Sequence, residues 1–153
     1  MYSFRNDYSE GAHPKVLQAL ADPNLRQTVG YGMDPCCQAA ADTIRRLCAA
    51  PDAAVHFLVG GTQVNLVTID AFLQSYEAAV AAQTGHVSTH ETGAIEATGH
   101  KVCTVESPDG KLTPALVESV LAGHNGTEHM VLPRMVYISD TTEIGTVYTR
   151  AEL

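Results

Sequence analysis

The chain has 153 residues, 45% of them apolar and 17% charged, with no Trp and a formal net charge of −8. That is enough for one domain with a buried core and too apolar for a disordered chain, and an acidic surface excludes nucleic acid as partner. No run approaches the roughly 18 consecutive apolar residues of a membrane span, and the stretch from Met1 to Asp7 lacks a signal-peptide layout, so a cytoplasmic location is expected.

In chain order, His13 to Ala21 has the apolar spacing of a short helix, with Pro14 early, where a missing N–H costs little. A polar loop follows to Asp34, which reads as the N-cap of a helix that has Pro35 in first position and runs to about Ala50. Residues 1–50 are thus expected to be helices and loop, and 51–153 an α/β part. Val55 to Val59 predicts a strand, Gly60-Gly61 a turn, and Gln63 to about Tyr76 a helix. Ala78 to Ala82 is open between helix and buried strand. Val87 to His90 predicts a short strand, Thr92 to Thr98 a helix, and Lys101 to Val105 a strand. Ser107 to Gly110 reads as a turn, and Thr113-Pro114 starts a helix to about Ala122. Met135 to Ser139 predicts a last buried strand, followed by a loop from Asp140 to Thr146. Strands interleaved with helices of this length predict an α/β fold with a mainly parallel sheet.

Cys36, Cys37, Cys48 and Cys103 show no CxxC or zinc-type spacing and read as buried small hydrophobes. Asn125-Gly126-Thr127 reads as a turn. Thr149 to Glu152 is a capping box just before Leu153, which raises the expectation that the sequence is a piece of a longer chain.

The chemistry centres on Val59-Gly60-Gly61-Thr62-Gln63-Val64-Asn65. A strand, a glycine turn and a helix start make an anion site, because the first N–H groups of a helix lack intrahelical partners and the dipole there is positive. Glycine lets a ligand approach the backbone, and Thr62 adds a hydroxyl. The motif fits neither the dinucleotide nor the Walker pattern, and a purely structural turn is the alternative. Three further stretches stand out: Asn6-Asp7-Tyr8-Ser9-Glu10-Gly11, Gly30-Tyr31-Gly32-Met33-Asp34-Pro35, and the histidine-rich run from His86 to His100. Solvated loops and a satisfied histidine would account for them individually. Metal binding by His86, His90 and Glu96 would draw on a strand, a turn and a helix, with no single element presenting all three.

In this order and spacing the motifs resemble the N-terminal part of the threonine aldolase and β-eliminating lyase family, which depends on pyridoxal 5'-phosphate. The stretch from Thr84 to Lys101 looks like the branch whose members carry a His-Glu-Thr-Gly-Ala-Ile-Glu-Ala-Thr-Gly-His-Lys-Val signature. The resemblance spans essentially the whole sequence. It implies the N-terminal part of a fold-type-I large domain, a mostly parallel sheet flanked by helices, with the rest of that domain and a small C-terminal domain absent. It also implies cleavage of β-hydroxy-α-amino acids such as threonine to glycine plus an aldehyde. Gly60, Gly61 and Thr62 would bind the cofactor phosphate. His90 would stack on the cofactor ring and assist proton transfer, with His86 as the competing candidate. Asn6 would contact the substrate carboxylate, Asp7 would order its loop, and Tyr31 would reach the site of a neighbouring subunit, implying a homo-oligomer, dimer or tetramer. Asp140 stands where relatives commonly carry Asn. The family's Schiff-base lysine has no counterpart in context among Lys15, Lys101 and Lys111, and Lys101 and Lys111 read as solvated surface charges. The 153 residues alone are therefore expected to be inactive. A non-catalytic remnant or interaction module, or a β-eliminating amino-acid lyase, are the alternatives.

Overall fold

A computed structural model describes residues 2–3, 5–6, 8–124 and 126–153, so Asp7 and Asn125, to which roles were ascribed above, lie outside the described residues. The chain forms two compact units, Met1–Phe57 and Leu58–Leu153.

The first unit holds two helices, α1 (Pro14–Ala21) and α2 (Pro35–Leu47). Both begin on proline, as expected. The Asp34 carboxylate accepts from the backbone N–H of Cys36 at 2.9 Å and of Cys37 at 3.0 Å, supplying partners that the first turn lacks. Arg45 and Arg46 sit in the last turn, where cations favour the helix dipole. The helix stops at Leu47 rather than Ala50 because Ala49 turns into the left-handed region, with φ of 51°. Cys36 and Cys48 are exposed and Cys37 half-buried, contrary to the expectation of burial, because only Ala41 of α2 is buried.

The second unit is an α/β layer: α3 (Gly61–Phe72), β1 (Glu77–Ala82), α4 (His86–Thr89), α5 (Ala94–Ala97), β2 (Lys101–Val105), α6 (Pro114–Gly123) and β3 (Leu132–Val136). The sheet is parallel, in the order β2-β1-β3. The segment left open becomes the central strand. Alternate residues of β1 face opposite sides: Ala79 and Ala81 pack with Ile69, Leu73, Val87 and Ile95, and Val80 and Ala82 with Leu112. Apolar layers on both faces explain why β1 is a continuous apolar run rather than an alternating one.

Five expectations are corrected. Val55 to Val59 forms no strand, since a strand needs a ladder partner and this stretch meets none among the described residues. Val87 to His90 is not a strand either, since its first three residues belong to α4. Gly85 starts that turn so close to β1 that a Cβ would come within 3.0 Å of the Ala82 carbonyl oxygen, and the Thr89 hydroxyl donates back to the Gly85 carbonyl at 3.1 Å. The helix expected from Thr92 begins at Ala94, because Thr92 and Gly93 are both left-handed, with φ of 56° and 71°. The last strand lies three residues earlier than expected and includes Pro133. That proline is tolerated because β3 is an edge strand whose register shifts opposite Ala78 and Ala79. α3 also starts inside the glycine turn and ends at Phe72, where Leu73 turns extended.

Candidate functional site

Gly60 is the N-cap of α3, in ordinary extended backbone, and no side chain among the described residues caps the helix. The first helical bond runs from the Val64 N–H to the Gly60 carbonyl at 3.0 Å. The N–H groups of Gly61, Thr62 and Gln63 therefore have no partner among the described residues. The Gln63 side chain turns away to accept from the Val59 N–H at 2.9 Å. A Cβ added at Gly60 or Gly61 would meet nothing within 4 Å. Neither φ lies in the left-handed region, so the fold itself makes no demand for glycine here. What remains is an open cradle of three donors at the positive end of a 12-residue helix.

One turn further along α3, Asn65 donates from Nδ2 to Glu91 Oε1 at 2.6 Å. The same oxygen lies 2.8 Å from His86 Nδ1. The Glu91 side chain is wholly buried, and its Oε2 is buried without a partner among the described residues. His86 is half-exposed, and its Nε2 has no hydrogen-bond partner among the described residues. His90, the C-cap of α4, is exposed. Its Nδ1 meets the Thr89 hydroxyl at 2.6 Å, and its ring stacks on His86 at 5.6 Å between centroids. The loop after β1 thus joins the first turns of α3 at the carboxyl end of a parallel strand, where open α/β sheets bind ligands. Thr92, a β-branched residue with positive φ, closes this loop directly after Glu91.

The sequence pattern draws attention to His86, His90 and Glu96, but it is Glu91 that ties His86 to α3, while Glu96 is exposed on α5. The available signal was an acidic residue next to two histidines four apart. What no pattern could supply was its partner Asn65, 26 positions upstream.

In the first unit, Asn6 is half-buried, its Oδ1 accepting from the Tyr8 N–H at 3.2 Å and the Ser9 hydroxyl at 2.6 Å. Tyr31 is fully exposed between Gly30 and Gly32, with φ of 62°. In the second unit, Asp140 accepts from the Tyr148 N–H at 3.2 Å. Lys101 is exposed, as expected. Lys111 is not the solvated charge expected: its side chain is largely buried, its Nζ lies 3.0 Å from each Glu152 carboxylate oxygen, and it sits over the Tyr148 ring. Cys103 is buried, as expected, and burial pushes its thiol above the ordinary range.

The beta-eliminating lyase family matches this chain over residues 4–153. A low-specificity L-threonine aldolase of a Pseudomonas species is 36% identical over 98% of the chain, and one of Pseudomonas aeruginosa is 34% identical over the same share. The solved structure of Leishmania major threonine aldolase superposes with a TM-score of 0.96 at 56% identity, covering 99% of the chain. The chain spans 43% of the length of both Pseudomonas proteins and 44% of the Leishmania one. Its parallel sheet and flanking helices match the N-terminal part of that threonine aldolase fold.

Proposed function

The chain belongs to the beta-eliminating lyase family, and from that premise we propose that it forms the phosphate-binding part of a pyridoxal-phosphate-dependent lyase. The reaction proposed is cleavage of a β-hydroxy-α-amino acid of the threonine type to glycine and an aldehyde. The observation that carries this is the cradle of unpaired N–H groups at Gly61, Thr62 and Gln63, one helical turn from a histidine tied to the same helix. Open backbone donors at a helix start fit a phosphate ester, and Gly60 and Gly61 leave it room. Bound there, pyridoxal phosphate supplies the electron sink at the substrate Cα.

The chain's own residues then divide the work. Gly60, Gly61 and Thr62 hold the phosphate. Of the two histidines, His86 is the better candidate to face the cofactor ring, since Glu91 and Asn65 register it to α3, whereas the hydrogen bond of the His90 ring is to its neighbour Thr89. His90 stacks on the His86 ring, 5.6 Å between centroids. His86 Nε2 can take the proton of the substrate β-hydroxyl, whose oxygen then becomes the aldehyde carbonyl as the Cα–Cβ bond breaks. Tyr31 completes the site of a neighbouring copy in a homo-oligomer. Lys15, Lys101 and Lys111 take no covalent part, so the 153 residues by themselves should not turn over substrate.

The test is direct. A full-length protein containing this segment should convert threonine to glycine and acetaldehyde, detected by coupled aldehyde reduction. Release of ammonia and a keto acid instead would identify the β-eliminating reaction and overturn the aldolase assignment.

A further inference from the structure

We propose that Glu91 is a positioning residue that sets the tautomer and ring plane of His86, with Asn65 holding Glu91 in turn. The proposal rests on the reading of the α3 cradle as a cofactor site. A wholly buried carboxylate is costly unless hydrogen bonds offset it, and a position that merely filled space would be served better by an apolar side chain. Glu91 instead spends one oxygen on two partners and leaves the other unpartnered, an arrangement that favours orientation over stability. An ionised carboxylate only accepts, so at 2.8 Å the His86 Nδ1 must carry the proton. Nε2 is then left with a free lone pair, the state that a proton acceptor requires. The Asn65 amide nitrogen, 2.6 Å from the same oxygen, fixes where that carboxylate sits relative to the first turn of α3. His90 offers the contrast: its Nδ1 meets the hydroxyl of its neighbour Thr89, and no carboxylate holds its ring.

Long-range proton–nitrogen NMR of the 153-residue chain labelled at histidine, above the pH of imidazole titration, reads each ring directly. His86 should appear as the Nδ1–H tautomer alone. Glu91→Ala should lose that preference, and Glu91→Gln, whose amide oxygen still accepts, should keep it. His100 and His124 report whether a variant is folded, since their Nδ1 atoms lie 3.3 Å and 2.8 Å from the carbonyls of Glu77 and Val120. A wild-type His86 in the Nε2–H form or as a mixture overturns the proposal without any variant. So does a Glu91→Ala chain with His100, His124 and the His86 tautomer all unchanged. Added pyridoxal 5'-phosphate should shift the His86 signals in wild type and Glu91→Gln but not in Glu91→Ala. If it shifts none of them while the tautomer still follows Glu91, the cofactor reading fails and the positioning role stands.

Discussion

Gly61→Ala separates a glycine kept for folding from one kept for a ligand. At this position a Cβ meets nothing within 4 Å and the backbone is helical, so the fold has no objection to alanine. Alanine is favoured over glycine within helices by up to about 1 kcal/mol. Thermal unfolding should therefore move upward by no more than about 4 °C, or not at all. A phosphate that closes on the Gly61 and Thr62 N–H groups would meet the new methyl. Loss of one charge-assisted hydrogen bond costs about 1.5–3 kcal/mol, which is on the order of 10- to 100-fold in Kd. Isothermal titration with pyridoxal 5'-phosphate, competed by inorganic phosphate, measures this beside a circular-dichroism melt. A variant that melts lower yet binds as well as wild type would refute the reasoning, because glycine would then serve the turn alone.

The other predictions concern the fold and the lysines. Ile95→Ala removes a fully buried side chain between α3 and β1, and should cost about 2–5 kcal/mol in denaturant unfolding; a loss below about 1 kcal/mol would mean that the layer repacks freely. The Glu152 carboxyl is held down to about 2 by the Thr149 N–H, then by the Thr149 side chain and Lys111. Its folded value lies below the ordinary 4.5, so its stabilising effect is full above that pH and lost as pH falls towards 2. Carbon NMR of the carboxyl should show that titration, and Glu152→Gln should remove this part of the acid sensitivity; an ordinary titration would contradict the capping geometry. Borohydride reduction after incubation with pyridoxal 5'-phosphate should leave no stoichiometric adduct on Lys101 or Lys111, as peptide mapping can check. Such labelling at either residue would give this chain a covalent anchor and contradict the assignment.

Local signals suffice where the chain needs only its neighbours. Asp34-Pro35 and Thr113-Pro114 start helices because a cap and a proline act within one turn, and Lys101 to Val105 is a strand as expected. Errors fell where a distant partner decides. Val87 to Thr89 has strand-like residues but lies just beyond β1, where Gly85 and the Thr89 hydroxyl close a helical turn instead. Lys111 looked like a surface charge until Glu152, 41 positions away, came to face it. Of the site, the glycine turn was legible because glycine spacing and the start of a helical pattern lie side by side in the chain. The hydrogen bonds that tie His86 to α3 through Glu91 and Asn65 were not.

By itself the sequence determined the kind of fold, the family and the place of the glycine turn that starts α3, since each rests on short-range patterning and on the order of motifs along the chain. Tertiary structure decided that the alanine run is the central strand, because only two flanking strands and two apolar layers can tell a buried strand from a helix of the same composition. It also brought Asn65 and Glu91 together around His86. A hydrogen bond between residues far apart in the chain exists only once helix and sheet have packed, and no periodicity in the chain encodes it.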